Sequence, residues 1–183
     1  MTDFYKMKKL FIAANDRFLS KDRKLIMDGV SERALCAALK SHLERELEGS
    51  EYSMYYADVE YNRNCGKVKT IINENLQIIK IQCDLIVHSR GENENRDNLI
   101  ALEMKKEYQS DDEKDKDRAR LRALTKSKSS DDVWSYDGKT FPQHVCGYVL
   151  GIYYEVCSDR INIEYYSLGN LLDREVVWLN RIK

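Results

Sequence analysis

Two otherwise apolar stretches of this chain are interrupted by residues that can do chemistry. Lys80 to His88 (KIQCDLIVH) carries Asp84, and Asn98 to Lys106 (NLIALEMKK) carries Glu103 and Lys105. Successive side chains of an extended chain point to opposite faces. Ile81, Cys83, Leu85 and Val87 then share one face of the first stretch, with Gln82, Asp84, Ile86 and His88 on the other. In the second, Leu99, Ala101, Glu103 and Lys105 lie together, opposite Ile100, Leu102, Met104 and Lys106. Glu103 and Lys105 project side by side, and a hairpin of the two strands brings Asp84 next to them. Two ionised carboxylates about 4 Å apart repel by about 4 kcal/mol at an effective dielectric of about 20. The cluster therefore needs compensation, from the lysine or from a bound cation. A hard divalent ion with oxygen ligands, Mg²⁺ or Mn²⁺, suits carboxylates that come with no Cys or His set. Such an ion would activate a water and stabilise charge developing on a phosphate oxygen. Lys105 would position or deprotonate that water, or neutralise the transition state.

Context makes this signal, because the short pattern is common. An acidic residue, any residue, then Lys also occurs at Asp22/Lys24, Asp112/Lys114 and Asp137/Lys139. Those three sit in charged helix or turn composition. Only Glu103/Lys105 ends an apolar strand that follows another apolar strand with an internal Asp.

The elements that must hold these residues can be traced from the N-terminus. Residues 1–28 have helical composition, and seven basic against four acidic residues leave a charge of +3. They read as a basic N-terminal helical extension, either facing phosphate or packed on the domain as an ordinary solvated helix. Ser31 is placed as an N-cap, with a helix from Glu32 to about Glu48. Leu35, Leu39, Leu43 and Leu47 recur every four residues and mark its core face. Glu32 lies at the end of that stripe, where a carboxylate also interacts favourably with the helix N-terminus. Tyr55 to Arg63 reads as a strand, and the two strands already described follow. A charged helix from about Asp112 to Ser127 is anchored by Leu121 and Leu124. Val145 to Val156 is a buried strand, rich in β-branched and aromatic residues, and Arg160 to Ser167 alternates like an edge strand. The order is helix, three strands, helix, strands: an α/β sheet with helices on it.

Composition bounds the rest. The chain has 183 residues, 43% hydrophobic and 33% charged, enough for one domain with a real core. Thirty Lys plus Arg against 31 Asp plus Glu leave a net charge of −1, so an anionic partner must be drawn by a local patch. The longest apolar run, Val145 to Tyr154, is about half what a helix needs to cross a bilayer. Met1 to Lys9 lacks the layout of a secretory signal. Five cysteines without a Cys-x-x-Cys pair and three scattered histidines support neither a disulfide scaffold nor a structural zinc site. Cytoplasm is the expected compartment.

Asp84 within CDLIVH, then Glu103-Met104-Lys105 within LIALEMKK after eighteen intervening residues, resembles the PD-(D/E)XK nuclease superfamily. The element order is similar to that superfamily's restriction-endonuclease-like core, a mixed central sheet flanked by helices in the order α-β-β-β-α-β. Glu32 on the preceding helix matches the further acidic residue many members carry there, and Cys83 departs from the pattern by standing where the motif has Pro. The resemblance covers about residues 31–166 of a single domain, leaving the N-terminal helix and a C-terminal tail, 167–183, as additions. It implies a Mg²⁺- or Mn²⁺-dependent endonuclease hydrolysing DNA, or secondarily RNA. Asp84, Glu103 and the Met104 main-chain carbonyl would ligate the metal, Lys105 would be the catalytic lysine, and Glu32 an accessory ligand or water-orienting group. A homodimer or a partner protein would supply specificity.

Other residues carry two readings each. Arg118 and Arg122, one turn apart, contact phosphate or are solvated helix charges. Asp58 and Glu60 share a strand face, where Glu60 joins the acidic cluster or belongs to surface alternation. Gln82 flanks the cluster on the Asp84 face. His88 and His42 read as structural. Trp134, Tyr136 and Phe141 stack on bases or pack their polar loop down. Two rivals to the enzyme stand: a binding module on the same fold that holds nucleic acid or protein without hydrolysis, and a protein-interaction domain whose Glu103/Lys105 is a surface ion pair.

Overall fold

A computed structural model describes residues 2–60, 83–127 and 146–181, and within 61–82 the backbone of four short strands. The N-terminal stretch forms helices α1 (Asp3–Lys21) and α2 (Arg23–Met27). Gly29, in the left-handed region at φ 71°, turns the chain into α3 (Glu32–Glu48). Ser31 caps α3: its hydroxyl accepts the Ala34 N–H at 3.3 Å, satisfying one of the donors every helix start leaves open. Leu35, Leu39, Leu43 and Leu47 are all buried, as their spacing requires.

Strand β1 (Tyr56–Val59) is followed by two short antiparallel pairs, β2 (Arg63–Asn64) with β3 (Lys67–Val68) and β4 (Thr70–Ile72) with β5 (Ile78–Lys80). Then come β6 (Leu85–His88), β7 (Asn98–Lys106), helix α4 (Asp111–Thr125), β8 (Leu150–Val156), β9 (Arg160–Ser167) and β10 (Asn170–Trp178). Six strands make one sheet in the order β1-β6-β7-β8-β9-β10. Neighbours run antiparallel except β7 and β8, which are parallel. A parallel pair needs a crossover, and α4 lies in that connection. The protein is therefore α/β, with a six-stranded mixed sheet flanked by helices.

Helices α1 and α3 cover one face of the sheet, packing with Leu85, Val87, Ile100, Leu102, Met104, Ile152 and Tyr154. Phe11 meets Tyr154 and Tyr165 edge-on, with ring centroids 6.3 and 6.1 Å away, the arrangement ring quadrupoles favour. Helix α4 covers the other face through Leu121, Ala123 and Leu124, against Ile86, Ala101, Tyr153 and Tyr166. Gly151 permits that approach, because a Cβ there would meet Thr125 Cγ2 at 2.9 Å and Tyr166 Cβ at 3.2 Å.

Three expectations are corrected. Arg160–Ser167 is not an edge strand: β9 lies between β8 and β10. The edge is β10, in the stretch read as a tail. Its hairpin turns on Leu168 and Gly169, both at positive φ (51° and 78°), as a two-residue type I′ loop needs. Asp173, Arg174 and Glu175 break the apolar alternation of β10, and charge of that kind suits an outer edge. Lys8 reaches Asp173 at 2.6 Å, and the Tyr165 hydroxyl donates to Glu175 at 2.8 Å. Secondly, of the two readings of the N-terminal helix the packed one holds, and more deeply than an extension added to the core implies: Met7, Phe11, Ala14, Phe18 and Leu19 are buried in the main core. Thirdly, β6 starts at Leu85 and the alternation fails at Cys83, which packs with Ile86 and α4 instead of with Leu85 and Val87.

No described helix is long and apolar enough to cross a membrane. Gln82, Trp134, Tyr136 and Phe141 lie outside the described residues.

Candidate active site

Asp84 stands one residue before β6. Leu85 pairs with Leu102, so Asp84 comes opposite Glu103 across the antiparallel strands. Its Oδ2 accepts the Met104 N–H at 2.8 Å, which holds the carboxylate against β7. Met104 itself points to the α3 face, where its sulfur lies 3.8 Å from Cys36 Sγ, while Glu103 and Lys105 face α4.

What meets them there is a ring of charge. Arg120 Nη1 donates to Glu103 Oε1 at 2.7 Å and lies 3.0 Å from Asp117 Oδ1. The other Asp117 oxygen, Oδ2, is 2.8 Å from Lys105 Nζ. Lys105 also donates to the Met104 carbonyl at 3.3 Å, the main-chain oxygen expected to ligate a metal. Glu32 reaches in from the first turn of α3: its Oε1 accepts the Lys106 N–H at 2.9 Å. The Lys106 ammonium turns away, to the Gly29 carbonyl at 2.9 Å and to that of Val30.

Burial dominates the electrostatics. It pushes Glu103 from its ordinary 4.5 up to about 8, with Asp84 and Asp117 adding and Arg120 opposing. Burial also raises Asp84, against the pull of the Met104 N–H and Lys105, and raises Glu32 against Lys105 and the Lys106 N–H. For Lys105 burial works downward, but the hydrogen bond and charge of Asp117 outweigh it and hold the ammonium above its usual range.

Four carboxylates (Glu32, Asp84, Glu103 and Asp117) face two cations (Lys105 and Arg120), a formal excess of two negative charges. Among the described residues no three carboxylate, imidazole or thiol side chains converge as a metal-ligand set. The Asp84 and Glu103 carboxylates and the Met104 carbonyl are hard oxygens, the donor type that Mg²⁺ and Mn²⁺ take, and a bound cation would offset the formal excess of negative charge.

The other candidate residues go elsewhere. Arg118 pairs with Asp115 at 2.9 Å and Glu164 at 3.1 Å and lies over the Tyr153 ring. Arg122 lies over Tyr166. Both therefore serve the α4–β9 side of the helix. Glu60 does not join the acidic cluster: its backbone is left-handed at φ 52° and its carboxylate meets Arg33 at 3.2 Å. Asp58 is bound by Arg90 through two hydrogen bonds, at 2.9 and 2.7 Å, and by His88 at 3.0 Å. His42 is buried and meets Asp22 at 2.6 Å.

Asp117 and Arg120 are the residues the sequence reading missed. Their signal was position: Asp117 lies four residues before Leu121 and seven before Leu124, on the apolar face of an otherwise charged helix. A carboxylate there must be buried, and buried charge needs partners. Comparison of the chain with protein-family models, with curated proteins and with solved structures finds no match.

Proposed function

We propose that the protein is a metal-dependent nuclease with a restriction-endonuclease-like core of the PD-(D/E)XK kind, hydrolysing DNA in preference to RNA, in the cytoplasm. The observation that carries this reading is the approach of Asp84 to Glu103 where the chain enters the β6–β7 pairing, beside Lys105 and in a cluster with more carboxylates than cations. A surface ion pair needs no such burial, whereas Glu103 is 1% exposed, and buried, strongly perturbed acids gather at functional sites. A hard divalent ion held there supplies positive charge to a phosphate oxygen and acidity to a water.

The chain's own residues do the rest. Asp84 and Glu103 provide anionic oxygens from two adjacent strands, a rigid base that fixes their separation. Lys105, its ammonium set by Asp117, offers a proton donor and a positive charge beside the carboxylates. Glu32, tethered to the Lys106 N–H, would orient a water in this reading. With a net charge of −1 the chain has no general attraction for nucleic acid, so a second copy or a partner protein supplies specificity in this reading.

The test is cleavage of plasmid DNA, single-stranded DNA and RNA with Mg²⁺, Mn²⁺ or EDTA, by wild type and by Asp84→Ala, Glu103→Ala and Lys105→Ala. Cleavage that needs metal and is lost in all three variants is the expected result; cleavage indifferent to the substitutions overturns it. A second reading, a binding module that does not hydrolyse, is favoured by the engagement of Glu103 with Arg120. It predicts no Mn²⁺ binding that depends on Asp84 and Glu103.

A further inference from the structure

Arg120 has no task in the reaction just described, yet it is bound to that reaction's central carboxylate. The Glu103 side chain is 1% exposed and that of Arg120 27%. The buried acid thus takes its counter-charge from a side chain whose stem leads out to the surface. Lys105 does not share this duty, since its ammonium sits on the far oxygen of Asp117. The two cations are seated separately: Lys105 on Asp117, Arg120 on Asp117 and Glu103 together. A carboxylate oxygen engaged by a guanidinium at 2.7 Å is a poor metal ligand until that charge-assisted bond is given up.

We propose that Arg120 is an exchangeable counter-ion for Glu103, competing with a divalent cation for the same carboxylate. This rests on the metal-dependent reading of the site. Without metal, Arg120 keeps the buried Glu103 compensated. A metal that takes the Glu103 oxygen Arg120 now holds, Oε1, cannot share that atom with the guanidinium, which releases Glu103 while Asp117, through its Oδ1, keeps it at the rim. Loading the site then frees an arginine beside the place where a phosphate would lie. The contrary view makes Arg120 a permanent tie between α4 and β7, indifferent to metal.

Calorimetric titration with Mn²⁺ separates the two. Removing the competitor in Arg120→Gln tightens Mn²⁺ binding by about tenfold or more, the size of one charge-assisted bond, and Arg120→Lys moves it back toward wild type. Equal or weaker binding by Arg120→Gln overturns the exchange. A second arm uses wild-type protein alone, and decides if the variant does not fold. Phenylglyoxal modification of Arg120, followed by peptide mass spectrometry, rises several-fold on saturation with Mg²⁺; an unchanged rate overturns the proposal. Mn²⁺ binding by wild type that Arg120→Gln leaves unaltered sinks the exchange and spares the nuclease reading. No Mn²⁺ binding by either protein sinks both.

Discussion

Under α1 and α3 the sheet presents Val87, Ile100, Leu102, Met104, Ile152 and Tyr154; under α4 it presents Ile86, Ala101, Glu103, Lys105, Tyr153 and Glu155. Each β7 residue alternates between these sides, so one strand serves both. On the first side the packed groups are mostly apolar and gain by leaving water. On the second, carboxylates and cations are taken out of water and repaid only by one another, which at best roughly balances. The difference assigns apolar stability to one side of the sheet and the charged cluster to the other. A charge-rich constellation needs a rigid support, and the apolar face supplies it.

The largest expected effect breaks the supporting side. Phe11 is fully buried between α1 and two tyrosines of the sheet. Phe11→Ala should lower unfolding free energy by about 3–5 kcal/mol, read by urea titration with circular dichroism. A loss below about 1 kcal/mol would make α1 a dispensable cover and end the comparison. On the other side the sensitive spot is Gly151. A methyl group there has to push Thr125, and α4 with it, off β8. Gly151→Ala is expected to cost about 1–3 kcal/mol, the usual penalty for overpacking. Hydrogen–deuterium exchange should rise in α4 and stay unchanged in α1 and α3. Uniform acceleration throughout would mean that the two sides do not respond separately.

How much of this arrangement shows in the sequence follows the same division. Strands β7 and β9 fall at residues 98–106 and 160–167 as the alternation predicts, and α3 begins at the residue after Ser31 as the cap predicts. Apolar periodicity is a local signal, and where burial is apolar it is legible. Asp84, Glu103 and Lys105 stood out because they break that signal. The missing parts are those where charge hides structure. Strand β10 carries three consecutive charged residues, and its turn uses Leu168 at positive φ, where Asn or Asp would have announced a hairpin. Asp117 and Arg120 sit among so many charges on α4 that only their alignment with Leu121 and Leu124 distinguishes them.

The most discriminating effect compares two acids. Asp58 and Glu103 each have an arginine partner, and burial pushes both upward. At Asp58, half-buried, the hydrogen bonds from Arg90 and His88 outweigh burial, and its pKa is lowered. At Glu103, fully buried among other carboxylates, they do not, and its pKa rises to about 8. The signs of linkage are therefore opposite. Folded Asp58 binds its proton less readily than the unfolded chain, so its contribution is present above the ordinary 3.8 and lost as pH falls. Folded Glu103 binds its proton more readily, so stability declines as pH rises from about 4.5 toward about 8. Glutamine has the shape of the protonated acid without its titration. In EDTA, Glu103→Gln should match wild type to within about 1 kcal/mol near pH 5. It should then escape much of the decline, and be the more stable protein near pH 8. Parallel curves would show that Arg120 compensates the buried charge in full, and that the α4 side carries its ions without a penalty.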